Sequence, residues 1–238
     1  MLNKKFKQFV KLFVPYVLFP NVIRNYINSF LKGEDKIFYE DNFYKRHAFI
    51  NLAINQFTNP NYLEIGVADN DVFNSIPLPI KNKFGVDPLE GGNFRMTSDK
   101  FFSNNKIKFD VIYIDGLHQY EQCQNDVINS LKFLNDNGVI IIHDLLPKNY
   151  LEEHIPQKYY SWTGDVWKVA VELSESNNID FRIINIDMGI GVAKPKENYE
   201  YKKIPKLKDM NYENFLNYYN RLPIISCEDG LKFIKNNK

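Results

Sequence analysis

From residue 61 onward, short apolar runs alternate with longer stretches in which apolar residues recur every three or four positions, a pattern that predicts a parallel sheet covered by helices. The predicted strands are Tyr62-Leu63-Glu64-Ile65, Lys83-Phe84-Gly85-Val86, Phe109–Ile114 and 139–142. The last two are almost wholly apolar, as strands buried on both faces must be. Between them, Cys123, Val127, Leu131 and Leu134 share one helical face, and Asn135-Asp136-Asn137-Gly138 ends that helix. Thr163-Gly164-Asp165 precedes Val166, Val169, Ala170 and Leu173, which predicts a capped amphipathic helix. Residues 180–186 and 189–193 are separated only by a tight turn at Asp187-Met188, so they are expected to pair antiparallel; a parallel return needs a crossover of about a dozen residues. A Lys/Tyr/Asn-rich linker, a helix around residues 212–219 and a last helix opened by Ser226-Cys227-Glu228-Asp229 complete the chain. The class is α/β.

Length divides these elements into an N-terminal extension, 1–45, a central domain, 46–195, and a helical C-terminal extension, 196–238, since 238 residues suit one domain with short additions. With 30 basic against 29 acidic side chains the net charge is +1, and no global field attracts a polyanion, so nucleic acid is not an expected partner. Cys123 and Cys227 lack paired Cys/His spacing, which argues against a disulfide framework or a structural zinc site and for a reducing compartment.

Residues 1–33 combine Lys4, Lys5, Lys7 and Lys11 with Phe6, Phe9, Phe13, Tyr16 and Phe19, but Pro15 and Pro20 break the apolar stretch below the length of a spanning helix. Two expectations stay open for this segment: packing on the domain or on a second subunit of a homo-oligomer, and peripheral contact with a membrane. The expected location is the cytoplasm, with the inner membrane face as the site of any such contact.

Two constellations carry chemistry. The first is Glu64-Ile65-Gly66-Val67-Ala68-Asp69-Asn70, leaving the first strand, with Asp87 ending the second. In α/β sheets ligands bind at the carboxyl ends of the strands, and an acid about 20 residues past the glycine turn bonds a ribose hydroxyl. The positions that would bring the backbone against a pyrophosphate are not glycine, which disfavours NAD. S-adenosylmethionine has no pyrophosphate, and its amino group suits a carboxylate such as Glu64 or Asp69.

The stretches Tyr62-Leu63-Glu64-Ile65-Gly66-Val67, Gly85-Val86-Asp87-Pro88, Met96-Thr97-Ser98-Asp99-Lys100-Phe101-Phe102, Ile114-Asp115-Gly116-Leu117-His118 and Gly138-Val139-Ile140-Ile141-Ile142-His143-Asp144 occur in this order. The chain thereby resembles bacterial class I S-adenosylmethionine-dependent methyltransferases, many of which modify sugars, surface glycans and small metabolites. The resemblance implies a Rossmann-like, mostly parallel sheet with a reversed last strand and helices on both faces. It also implies that Asp87 binds the ribose, that Ser98 and Asp99 flank the adenine, and that Gly66 and Asp115 line the cofactor site. Where the family's loop has further glycines, this chain has Ala68 and Asn70, and asparagine tolerates a left-handed backbone.

The second constellation is Asp115, His118, His143 and Asp144, two pairs ending strands that the fold makes neighbours. Carboxylates with imidazoles can hold a divalent metal such as Mg²⁺, through Asp115 and Asp144, and a metal acidifies a substrate hydroxyl for a histidine to deprotonate. His118 or His143 is suited to that base role. Asp115-Gly116-Leu117-His118 is similar to the aspartate and histidine of macrolide-sugar O-methyltransferases, whose acidic pair on the next strand is replaced here by His143-Asp144. Three readings stand beside one another: metal plus base, a metal-free base, and simple strand and helix capping. Trp162 and Tyr160 follow the last parallel strand, where aromatic faces could pack on a small-molecule acceptor such as a sugar or an amine.

Overall fold

The computed structural model describes residues 34–236. The basic-aromatic segment 1–33 lies outside the described residues. The described elements run in the order α1 (Arg46–Ile54), β1 (Tyr62–Ile65), α2 (Asp71–Ser75), β2 (Lys83–Val86), α3 (Ser98–Asn104), β3 (Phe109–Ile114), α4 (Tyr120–Phe133) and β4 (Leu134–Ile142). They continue with α5 (Tyr150–Glu153), α6 (Trp167–Ser174), β5 (Asn177–Ile184), β6 (Ile190–Glu200), α7 (Tyr212–Tyr219), β7 (Ile224–Ile225) and α8 (Cys227–Lys235).

One seven-stranded sheet holds them, ordered β2-β1-β3-β4-β6-β5-β7. β1 to β4 pair parallel, β6 is antiparallel to both β4 and β5, and β7 is parallel to β5. The expected reversed strand is therefore present, and a short parallel strand beyond it adds an edge that the pattern did not predict. Among the described residues, no helix is long and apolar enough to cross a membrane.

Side-chain alternation on β3 and β4 divides the core. Ile112, Ile114, Ile140 and Ile142 pack with Val127 and Leu131 of α4 and Val169 of α6, whereas Val111, Tyr113, Val139 and Ile141 pack with Phe49 and Ile50 of α1 and Ile234 of α8. Burial on both faces explains why these strands read as unbroken apolar runs. The same period of two places Tyr62 with Glu64 and Tyr113 with Asp115 on the α1 side.

Three local expectations are corrected. Leu134 leaves the helix and pairs with Phe109, and the register then shifts before Val139 meets Val111, so Asn135 to Gly138 form a bulge rather than a helix stop. Helix α6 starts at Trp167 without a side-chain cap. Asp165 instead accepts from the backbone N–H of Tyr120 at 2.7 Å and pairs with Lys168 at 2.8 Å. The helix is amphipathic as expected, but its polar side is buried too: Glu172 accepts from Tyr120, Gln124 and Tyr201, and Lys168 donates to the Lys208 carbonyl. β5 and β6 are longer than expected, and the turn between them carries Asp187, Met188 and Gly189 at φ of 45°, 64° and 87°.

Candidate active site

The functional side chains gather where β1, β2, β3 and β4 end. Gly66 turns the chain out of β1 at φ 84°, and a Cβ there would sit 2.1 Å from the Asp115 carbonyl oxygen, so no other residue fits. Ala68 and Asn70 are left-handed at φ 48° and 70°. Asn70 also has a specific partner, since its side-chain oxygen accepts from Gly92 N–H at 2.8 Å and ties the glycine loop to the loop after β2.

Asp87 is at the centre of that junction. One carboxylate oxygen accepts from Val67 and Ala68 N–H at 3.1 and 3.2 Å, and the other from Leu89 and Glu90 N–H at 2.7 and 2.9 Å. Burial alone would raise its pKa, but these four donors lower it below the ordinary carboxylate value. Glu64 has the opposite character. It is buried and accepts from the Tyr62 hydroxyl at 2.7 Å, and burial raises it to about 8, against the pull of that bond and with Asp115 adding to the rise. Asp69 is exposed and accepts from Asp71 N–H at 3.1 Å. Ser98 is buried at the start of α3, where Gln122 of α4 donates to its hydroxyl at 3.2 Å and to Asp126 at 3.1 Å. The same Gln122 amide comes within 3.5 Å of Asp99, so Gln122 and Asp126 join the pair expected from sequence.

The second constellation converges as the strand order requires. His118 Nε2 lies 3.4 Å from Asp115 Oδ1 and 3.2 Å from Asp144 Oδ2. His143 Nδ1 lies 3.4 Å from Asp115 Oδ1 and 3.0 Å from Asp144 Oδ1. The last approach is not aligned as a hydrogen bond: both Asp144 Oδ1 and His143 Nδ1 are buried without a hydrogen-bond partner. The Trp162 carbonyl lies 2.9 Å from His118 Nδ1; a carbonyl can only accept, so Nδ1 carries a proton and Nε2 faces the two carboxylates. Burial opposes a charge on His118, but Asp144 and Asp115 outweigh it and raise the imidazole to about 9. One ligand atom from each of Asp115, His118 and Asp144 falls within 4.8 Å of the others, a spacing that suits a divalent cation. Asp144 holds its place at φ 65°, outside the ordinary range for a non-glycine residue.

The Trp162 ring stacks on His118 with centroids 5.1 Å apart and planes 28° apart. Tyr160 is exposed and packs on Tyr159, so of the two expected aromatics Trp162 is the one that touches the cluster. Sequence reasoning missed three members. Tyr113 donates to Asp115 Oδ2 at 2.7 Å, Arg46 Nε donates to His143 Nε2 at 3.0 Å, and Asp187 accepts from Arg46 N–H at 2.9 Å. Only Tyr113 had a signal, its two-residue spacing from Asp115 on one strand face; Arg46 opens α1 and Asp187 lies in the turn between β5 and β6, both far away in sequence.

Residues 89–145, which contain Asp115, His118, His143 and Asp144, match the family model described as a methyltransferase domain. The match spans the segment from the loop after β2 to the residue after Asp144, and the sheet order β2-β1-β3-β4-β6-β5-β7 surrounds it. No curated protein sequence matches the chain. Among solved structures it is similar to an O-methyltransferase described as putative from Klebsiella pneumoniae, at 12% identity over 79% of this chain and 94% of that one, with a TM-score of 0.49. It is similar to the Podospora anserina methyltransferase PaMTH1, bound to S-adenosylhomocysteine, at 14% identity over 83% and 98% of the two chains, with a TM-score of 0.49. A third is the MycE methyltransferase of mycinamycin biosynthesis, in complex with Mg, S-adenosylhomocysteine and mycinamycin VI, at 14% identity over 58% and 46%, with a TM-score of 0.38.

Proposed function

We propose that the protein is a methyltransferase that moves the methyl group of S-adenosylmethionine to a hydroxyl of a small polar acceptor, a sugar or metabolite destined for a surface glycan. The observation that carries the reading is the convergence of Asp115, His118 and Asp144 at the ends of β3 and β4, beside the Gly66 turn and Asp87. Cofactor-binding groups and proton-handling groups thus share one rim of the sheet, as a transfer between two bound molecules demands.

The residues fit the cofactor by their chemistry. Asp87 offers a low-pKa carboxylate for ribose hydroxyls, and Glu64 is a buried acid that an ammonium group would ionise. Ser98 and Asp99, at the start of α3, would flank the adenine. S-adenosylmethionine supplies an electrophilic methyl on a sulfonium. The work of the chain is to orient an acceptor oxygen toward it and, in the fraction of molecules whose imidazole is neutral, a fraction that grows as pH rises toward about 9, to take up the proton that oxygen gives up at His118 Nε2. Trp162 covers one face of that imidazole and fixes its plane, and its carbonyl fixes the tautomer.

A divalent cation such as Mg²⁺ also fits. Asp144 Oδ1 is a buried carboxylate oxygen without a hydrogen-bond partner, and Asp115 and Asp144 would hold the ion with His118 beside them. Such an ion would polarise the acceptor hydroxyl.

Calorimetric titration with S-adenosylmethionine and S-adenosylhomocysteine, with and without Mg²⁺, tests the first step, and an assay of S-adenosylhomocysteine release over sugar and amine acceptors tests the second. Micromolar binding with turnover on hydroxyl acceptors is the expected result. Turnover on amines alone would convert the reading to N-methylation, and no binding of either cofactor form would remove it.

A further inference from the structure

The near-neutral total charge hides a division along the chain. Residues 1–33 carry six basic side chains, Lys4, Lys5, Lys7, Lys11, Arg24 and Lys32, with seven aromatic residues and no acidic one. Residues 34–238 are left with 24 basic against 29 acidic side chains, a formal charge of −5. An anionic surface therefore attracts the first 33 residues and repels the rest, a field that orients the molecule before contact. Lysines interleaved with large apolar side chains suit a bilayer interface better than a nucleic-acid groove, because the rings need an apolar layer to enter while the ammonium groups stay among headgroups.

The described residues that continue this segment bring a second observation. From Lys36 to Glu40 the chain is an extended strap, in which the Lys36 N–H donates to the Lys148 carbonyl and the Glu40 N–H to the Asn185 carbonyl, both at 2.8 Å. Its side chains alternate: Ile37 is buried, Tyr39 donates to the Leu146 carbonyl, and Phe38 between them is 73% exposed. Phe43 is fully exposed and Tyr44 half exposed, and no other phenylalanine among the described residues is exposed. Three acids of this stretch are engaged: Asp35 accepts from the Asn149 amide, Glu40 from the Cys227 N–H, and Glu34 pairs with Lys36. The inward side of the strap is thus fixed to the domain while its outward rings stay in water, an arrangement that favours a second apolar phase there. Lys148 lies in the loop after β4 and Asn185 at the end of β5, and Arg46, two residues beyond Tyr44, reaches His143. The strap therefore crosses the same rim of the sheet as the Asp115, His118 and Asp144 cluster.

We propose that residues 1–44 are a peripheral anchor for a bilayer carrying anionic headgroups. The basic segment supplies the attraction, and Phe38, Phe43 and Tyr44 enter the interface. Anchored there, the strap places the candidate site beside the lipid surface, where an acceptor carried on a lipid would meet it; that consequence rests on the methyl-transfer reading, and the anchoring does not.

The test is flotation of the full-length chain with vesicles of phosphatidylcholine alone and of phosphatidylcholine mixed with phosphatidylglycerol. The expected result is binding to the mixed vesicles only, lost on raising salt to about 1 M, where the Debye length falls to about 3 Å. A lysine near an anionic surface contributes about fivefold in affinity, so Lys4→Gln, Lys5→Gln, Lys7→Gln and Lys11→Gln together are expected to weaken binding by about a hundredfold or more. Phe38→Ser with Phe43→Ser and Tyr44→Ser keeps every lysine and is expected to weaken binding by about tenfold or more, the contribution of partly burying three rings. Leucine at the same three positions is expected to keep most of the binding, and thermal unfolding checks that each variant is folded. Equal flotation on the two vesicle types, no flotation on either, or a folded serine variant that floats like the unmodified protein would each overturn the proposal. Self-association abolished by the same substitutions, without vesicle binding, would overturn it in favour of a second copy of the chain, and retention of duplex DNA without vesicle binding in favour of a nucleic acid. Flotation needs neither cofactor nor acceptor, so a failure of the methyl-transfer reading leaves its outcome standing as a separate result.

Discussion

The Tyr62 hydroxyl donates to Glu64 two residues along the same strand, 2.7 Å away, inside the core beneath the Gly66 turn. That bond stabilises the ionised acid less than burial destabilises it, and the carboxyl rests at about 8 against an ordinary 4.5. The folded state therefore binds more protons than the unfolded chain between these two values, and this group's contribution to stability falls as pH rises from 4.5 through about 8. Urea unfolding at pH 6 and pH 9 is expected to show a loss on the order of a few kcal/mol that Glu64→Gln removes. Calorimetry at pH 7 in two buffers of different ionisation enthalpy should further show a proton released on cofactor binding, because an ammonium group near Glu64 ionises it. A Glu64→Gln variant that releases the same proton would defeat this assignment.

Asp87 accepts four backbone N–H groups from two loops, so both of its oxygens are needed as acceptors. Asp87→Asn replaces one oxygen by an amide that points two protons at two N–H donors. The expected cost is about 1–3 kcal/mol of stability, and S-adenosylhomocysteine affinity is expected to drop by about tenfold or more, because hydrogen bonds to a charged acceptor are the stronger ones. Thermal unfolding and calorimetry on the same variant read the two effects; an affinity that survives the loss of stability would separate Asp87 from the cofactor.

How much of this was legible in the sequence depends on how local each cause is. The apolar runs of β3 and β4 reported burial on both faces, and Asp115-x-x-His118 with His143-Asp144 reported strand ends that the sheet order makes adjacent. Asn70 at φ 70° was legible because its side chain tolerates that backbone, whereas its bond to Gly92 N–H was not, since the partner lies 22 residues away in a loop without a pattern. Arg46 and Asp187 are separated by 141 residues and meet only because α1 packs on the face of β3 and β4 from which Tyr113 points. Asp165 looked like a helix cap by position, yet the backbone N–H of Tyr120 is the partner that tertiary packing supplies. β7 has two residues, too few for any periodicity to register.

Trp162 acts on His118 in two ways that substitution can separate. Its carbonyl sets the tautomer and survives any side-chain change, while its ring, 5.1 Å from the imidazole, sets the plane. Trp162→Ala is expected to remove a stacking contact of about 0.5–1.5 kcal/mol, to lower kcat by roughly that factor of 2 to 10, and to raise the acceptor KM while cofactor affinity holds. Trp162→Phe keeps a ring and should recover most of the loss. Steady-state kinetics on the two variants decide the matter, and equal effects from Phe and Ala would mean that the ring is only a filler of the loop.

Asp144 combines an unusual backbone with the largest electrostatic support of the His118 proton, after burial is overcome. At φ 65° asparagine is tolerated better than alanine, so Asp144→Asn separates loss of charge from loss of fold, while Asp144→Ala adds about 1–2 kcal/mol of backbone strain. Removing the charge lowers the proton affinity of His118 and takes away one of the two carboxylates placed to hold a cation. Turnover of Asp144→Asn is therefore expected to fall by at least about 100-fold, the range that a positioned acid–base group supplies, with S-adenosylhomocysteine affinity within about a factor of three, under 1 kcal/mol. Manganese binding, followed by electron paramagnetic resonance as a substitute for magnesium, is expected to disappear in the same variant. If the folded Asn variant turns over at the unmodified rate, the reacting centre lies elsewhere; if it loses turnover but the unmodified protein binds no manganese, the cluster works as a carboxylate-held imidazole without a metal.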